Sequence, residues 1–174
     1  MKQLYLFEVY EPMQDTEQVK LAPINFWKLC IDGAARNNPG PAAVGIYLLK
    51  NDQPIQEQGF YLGVKTNNQA EYLSLLIGIY YLKQHVNYND PVLIASDSQL
   101  LVRQLQGSYK VKHPELKPFY TFAKKMLNDF NYSIEHVARE DNIQADALAN
   151  KGIDENISVP QEIKEWLRSH EIVV

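Results

Sequence analysis

The chain has a single cysteine, Cys30, in 174 residues, so no disulfide can form within it and its stability must come from core packing. A lone thiol suits a reducing compartment, and the cytoplasm is the expected location. Long apolar runs are also missing, with no stretch of about 18 consecutive apolar residues. Residues 1–8 lack the apolar run and small-residue cleavage site of a secretory leader. Neither a signal peptide nor a membrane span is expected. Positive charge is in short supply: 17 Lys and Arg against 21 Asp and Glu leave a net charge of −4. Proteins that hold nucleic acid by bulk charge are strongly basic, so any polyanion would have to be gripped locally. Clustered Cys and His at zinc-ligand spacing are absent as well. What is present, 45% hydrophobic and 22% charged residues, is the composition of one folded domain with one substantial core. A monomer is expected.

Residues 1–25 read as an N-terminal extension of no assigned role, in which 2–10 alternate loosely like a strand or arm. Runs at 26–32, 43–50 and 56–63 read as three antiparallel strands, with a hairpin loop at 50–54. A helix over 68–85, which Asn68 can cap, is apolar on nearly every face through Leu73, Leu76, Ile77, Tyr80 and Leu82, the pattern of a central packed helix. The β-branched run 91–97 predicts a buried parallel strand, followed by a helix over 98–106 that Gly107 ends. Beyond a basic connector come a helix over 116–130, a strand over 132–138, a helix over 142–152 and a short helix within a C-terminal tail, 154–174. Strands first, then helix alternating with strand, predict an α/β fold with a mixed sheet flanked by helices.

Acidic side chains recur at element boundaries. Asp32 closes a strand, Glu71 sits in a first helical turn, Asp97 closes another strand and Asp146 lies inside a helix. Ligands of open sheets collect beyond the carboxyl ends of the strands, so Asp32 and Asp97 meet there if their strands are parallel neighbours. Hard oxygen ligands of this kind suit Mg²⁺ or Mn²⁺. Taken singly, each acid also has a plainer reading as a cap or as a partner of a helix dipole.

The words around the acids are Asp32-Gly33-Ala34-Ala35-Arg36-Asn37-Asn38-Pro39-Gly40-Pro41, then Thr66-Asn67-Asn68-Gln69-Ala70-Glu71, then Ser96-Asp97-Ser98-Gln99, and finally Asn142-Ile143-Gln144-Ala145-Asp146-Ala147-Leu148-Ala149-Asn150. In order and spacing they resemble the four signature segments of type I ribonuclease H, over roughly residues 26–153. The resemblance implies the ribonuclease H-like fold, a mixed five-stranded sheet flanked by helices. It also implies that Asp32, Glu71, Asp97 and Asp146 hold two divalent ions, Mg²⁺ or Mn²⁺, as the catalytic centre. The implied activity is endonucleolytic hydrolysis of the RNA strand of an RNA–DNA hybrid, leaving 5′-phosphate and 3′-hydroxyl ends. Four acids have a physical rationale: two ions about 4 Å apart repel, and clustered carboxylates plus a substrate oxygen offset that repulsion.

By the same resemblance, Asn38, Asn67, Asn68 and Gln99 look like minor-groove contacts that read the hybrid, and Thr66 looks like a contact to the DNA-strand backbone. Turn and cap formation is their plainer reading. The connector 110–117 is locally basic and short, so the chain resembles a compact form without the basic protrusion of many relatives. Its lysines either touch phosphates or form a solvated loop. Residues 135–142 replace the longer glycine- and histidine-bearing loop of many relatives; His136 belongs to the strand pattern, and Arg139 is placed to assist product release or phosphate orientation. Two rival readings remain at this level: a module that grips hybrids without cutting, and another nuclease of the same fold. The Asp-Gly…Asn-Pro-Gly and Thr-Asn-Asn-x-x-Glu words favour the hybrid-specific branch.

Overall fold

The apolar run near residue 26 forms β1 (Trp27–Ala35), and its alternation sorts two faces of a sheet. Leu29 and Ile31 enter the main core, whereas Cys30 points the other way into a small cluster with Ala95 and Ala145. The structure is a computed structural model and describes residues 24–174. The arm expected over 2–10 lies outside the described residues. Around β1 are β2 (Gly40–Lys50), β3 (Gln53–Lys65), β4 (Pro91–Ser96) and β5 (Asn131–His136), in the order β3-β2-β1-β4-β5. The first three strands are antiparallel, while β4 runs parallel to β1 and β5 to β4. This is the mixed sheet that the order of elements predicts, with the five strands that the family resemblance implies. Asn51 and Asp52, with φ of 49° and 63°, make the two-residue turn between β2 and β3, a conformation that matches strand twist and favours Asn and Asp.

Among the described residues, five α-helices flank the sheet: α1 (Asn67–His85), α2 (Gln99–Leu105), α3 (Lys117–Leu127), α4 (Ile143–Asp154) and α5 (Gln161–Arg168). Helix α1 is buried on almost all sides, as its unbroken apolar surface requires, with Tyr80 alone partly open between Ala70 and Leu82. Each fully buried Leu or Ile there contributes roughly 1.5–3 kcal/mol of transfer free energy. The C-terminal segment closes this side: Ile163, Leu167 and Ile172 are buried, and the Trp166 ring lies 5.4 Å from Tyr80 and 5.1 Å from Phe122. Helix α4 crosses the opposite face so closely that a Cβ on Gly45 would fall 1.9 Å from the Ala145 carbonyl oxygen. Only glycine fits at that crossing, and the close approach sets Asp146 above the sheet.

One expectation about the start of α1 needs correction. Thr66, not Asn68, is the cap: its Oγ1 accepts the Gln69 N–H at 3.3 Å while Gln69 Oε1 accepts the Thr66 N–H at 2.9 Å. Asn68-x-x-Glu71 spells the same reciprocal motif, but Glu71 is drawn into an acidic cluster and Gln69 is free to close the box. Elsewhere element ends shift by a few residues: a 3-10 turn, Pro114–Leu116, precedes α3, and another, Arg139–Asp141, precedes α4.

Candidate active site

The parallel pairing of β1 with β4 ends at Ile31 opposite Ser96, so the next residues, Asp32 and Asp97, emerge side by side. Asp32 does not close its strand as predicted. β1 runs on to Ala35 because its other edge stays paired with β2, as far as Ala35 opposite Ala42. Glu71 is in the second turn of α1 rather than the first, since the helix begins at Asn67. It reaches the strand end because Gly33 leaves room: a Cβ there would sit 2.2 Å from the Glu71 nitrogen. Carboxylate oxygens of Asp32, Glu71 and Asp97 all lie within 4.8 Å of one another. Asp146, in the first turn of α4, stands beside this trio. Its Oδ1 accepts from Arg139 Nε at 3.2 Å and from Nη2, and its Oδ2 from Asn150 Nδ2 at 3.2 Å.

Burial pushes the Asp32 carboxyl up to about 7, helped by the charges of Asp97 and Asp146 and opposed by Arg139 and the Gly33 N–H. Glu71 is held well above the usual carboxylate range, first by burial and then by Asp32 and Asp97. Its Oε2 is buried without a hydrogen-bond partner among the described residues. Buried polar atoms are rarely left so, and a divalent cation among three carboxylates would supply what Oε2 lacks. The residues present therefore suit a metal ion with hard oxygen ligands. They line a cavity of about 300 Å³, whose rim also carries Arg36, Arg139, Asn67 and Asn150.

Of the substrate residues read from the sequence, Asn67 borders this cavity and hydrogen-bonds Glu71, while Asn38 Oδ1 accepts the Asn67 N–H at 3.0 Å. Asn38, Thr66 and Asn68 line a neighbouring cavity of about 140 Å³ with His113 and Glu115. Gln99 is exposed at the first position of α2, two residues after Asp97. His136 is exposed on β5, its Nε2 3.1 Å from the Asp97 carbonyl oxygen. One residue was missed. Asn142, 1% exposed, donates its amide to the Ile31 carbonyl at 2.9 Å and to Asp97 Oδ1 at 3.2 Å, while its own Oδ1 has no partner among the described residues. An Asn before a helix reads as a cap, but the Asn142 side chain makes no capping bond, and nothing local in the sequence signals that.

Sheet order, flanking helices and acids at the parallel strand ends together define a domain of the ribonuclease H-like class. A family model described as reverse transcriptase-like matches residues 30–152. Ribonuclease HI of Halobacterium salinarum is 42% identical over 127 residues, covering 71% of this chain and 62% of the relative. A bifunctional protein of Mycobacterium tuberculosis is 36% identical over 126 residues, covering 71% of this chain but 34% of the relative. The chain thus spans less than two thirds of the length of these relatives. Among solved structures, RNase H1 of the same halophilic archaeon superposes with a TM-score of 0.69 at 39% identity, covering 74% of this chain and 98% of that one. LC11-RNase H1 in complex with an RNA/DNA hybrid gives 0.71 at 34% identity, covering 74% and 97%. The chain belongs to the type I ribonuclease H family.

Proposed function

We propose that the chain is an endonuclease that hydrolyses the RNA strand of RNA–DNA hybrids, with Asp32, Glu71, Asp97 and Asp146 holding two divalent ions, Mg²⁺ or Mn²⁺. The supporting observation is the trio of carboxylates within 4.8 Å of one another, one oxygen of which is buried and unpartnered. When bound, such a pair of ions supplies Lewis acidity at the phosphodiester and a water-derived nucleophile at neutral pH, so no side-chain nucleophile is needed. The chain's own residues hold the carboxylates in place beforehand: β1 carries Asp32, Asp97 follows the end of β4 and is held by Asn142, α1 brings Glu71, and α4 brings Asp146. Arg139, bound to Asp146, assists by orienting a phosphate or easing product release. Asn38, Asn67, Asn68 and Gln99 read the minor groove, where the 2′-hydroxyl marks the RNA strand, and Thr66 contacts the DNA strand. The LC11 relative was captured with an RNA/DNA hybrid, which supports that substrate. Products carry 5′-phosphate and 3′-hydroxyl ends. A reducing cytoplasm suits the buried, unpaired Cys30.

The test is turnover of a labelled hybrid with Mg²⁺, with Mn²⁺ and with chelator, for the unsubstituted protein and Asp97→Asn. Cleavage that requires metal, is lost in Asp97→Asn and spares RNA–RNA and DNA–DNA duplexes is the expected result. Hybrid binding with no cleavage under any metal would instead make the chain a binding module.

A further inference from the structure

The ions proposed among the acids receive the scissile phosphate, and the strand's neighbouring phosphates need cations of the chain's own at the edge of the cavity. Two guanidiniums line it, Arg36 and Arg139. Arg139 is engaged by Asp146 at the start of α4, and Arg36 is engaged by Asp154 at the end of the same helix. Eight residues separate those two aspartates, about 12 Å along a helix axis. The two cations are thereby tied to opposite ends of α4 rather than to one point.

We propose that Arg36 is a backbone-phosphate clamp for the RNA strand, gripping a phosphate next to the scissile one and setting the strand's register over the acids. This rests on the ribonuclease H reading above. Three features carry it. The bond to Asp154 uses one guanidinium nitrogen, Nη2, and leaves the rest of a five-donor fork for a second anion. Both partners of the pair are more than half exposed, at 51% and 57%, so the pair adds little to stability and its cation is accessible to solvent and substrate. The backbone that presents Arg36 is rigid. Its N–H donates to the Pro41 carbonyl at 2.8 Å, and Gly40 is pressed so close that a Cβ would meet the Arg36 carbonyl oxygen at 1.9 Å. A long side chain on a fixed base, steered by one carboxylate, keeps a defined reach at low entropic cost. The alternative is a staple: Arg36 and Asp154 merely pin the β1–β2 turn to α4.

Salt dependence separates the two. Hybrid binding is measured at several salt concentrations in the Asp97→Asn background, where substrate is not consumed, with Arg36→Ala, Arg36→Lys and Asp154→Asn added one at a time. A clamp predicts that Arg36→Ala lowers the slope of log affinity against log salt by about 0.9 and weakens low-salt binding roughly tenfold. Arg36→Lys retains the slope with weaker binding, since an ammonium neutralises a phosphate but cannot grip it bidentately. Asp154→Asn also retains the slope, because the cation remains. A slope unchanged in Arg36→Ala, with thermal stability lowered equally in Arg36→Ala and Asp154→Asn, overturns the clamp and leaves a staple. Failure of the unsubstituted protein to cleave a hybrid overturns the function itself and the clamp with it, so the two failures are distinguishable.

Discussion

Asn142 joins three parts of the site with one amide group. Its two donor contacts tie the start of α4 to the Ile31 carbonyl of β1 and to the Asp97 carboxylate. Because Asp97 follows the last paired residue of β4, its side chain is not held by the sheet ladder, and the bond from Asn142 limits its rotation. Groups that orient a metal ligand typically influence affinity or rate by about 10–100-fold. Asn142→Ala is accordingly expected to lower kcat by roughly that factor and to raise the metal concentration needed for half-maximal rate, with the KM for hybrid little changed. Steady-state kinetics over a metal titration checks this, and an unchanged kcat would remove Asn142 from the site. Asp146 shows the same logic in its own contacts: Arg139 and Asn150 fix both of its oxygens, so it is oriented while standing outside the close trio.

At the scale of elements, the start of α1 matters most, because one turn carries Thr66, Asn67 and Asn68 and the next carries Glu71. A frayed first turn would move the proposed substrate contacts and the Glu71 carboxylate of the acidic trio together. The reciprocal bonds between Thr66 and Gln69 prevent that by satisfying two backbone N–H groups. Thr66→Ala is expected to destabilise the fold by about 1 kcal/mol, whereas the exposed, non-capping Asn68→Ala stays within about 0.5 kcal/mol. Urea unfolding monitored by circular dichroism discriminates them; equal losses would return the capping role to Asn68. Helix α4 depends on a different device. Its close crossing over Gly45 is a backbone-to-backbone contact, so a side chain at that position would push Asp146 and Asn142 away from the strand ends together.

Over the whole molecule, the site stores unfavourable charge that the fold must carry. Without bound ions, Asp32 has a pKa of about 7 in the folded protein, against an ordinary carboxylate value near 4 in the unfolded chain. Below about pH 4 it is neutral in both states. Between about 4 and 7 the unfolded chain has released this proton while the folded one still holds it, so stability falls as pH rises, and above 7 the loss is complete. Glu71, shifted the same way, adds to the fall. Metal-free protein is therefore expected to melt several degrees lower at pH 8 than at pH 5, with a smaller difference in Asp32→Asn. Mg²⁺ at pH 8 is expected to raise the melting temperature of the unsubstituted protein and to act less on the variant. Scanning calorimetry tests both; equal pH dependence in the two proteins would refute the stored-charge account. The opposing reserve is the core around α1, to which Trp166, Leu167 and Ile172 of the C-terminal segment belong.

The strand and helix pattern and the mixed sheet were legible from the sequence, and so was the neighbourhood of Asp32 and Asp97 at parallel strand ends, because periodicity records burial and short words such as Asp32-Gly33 and Thr66-Asn67-Asn68 record tight local geometry. Local geometry also misled: Asn68 and Asn142 both resemble caps, yet Thr66 caps α1 in place of Asn68, and the Asn142 side chain holds Asp97 instead of capping α4. What only the tertiary structure decided is which distant groups meet. The pairing of Arg36 with Asp154 and the approach of Glu71 over Gly33 join residues dozens of positions apart. Spacing along a chain encodes the period of its own element. It carries no record of the partner across the sheet, which is selected only when helices pack and backbones close to contact distance.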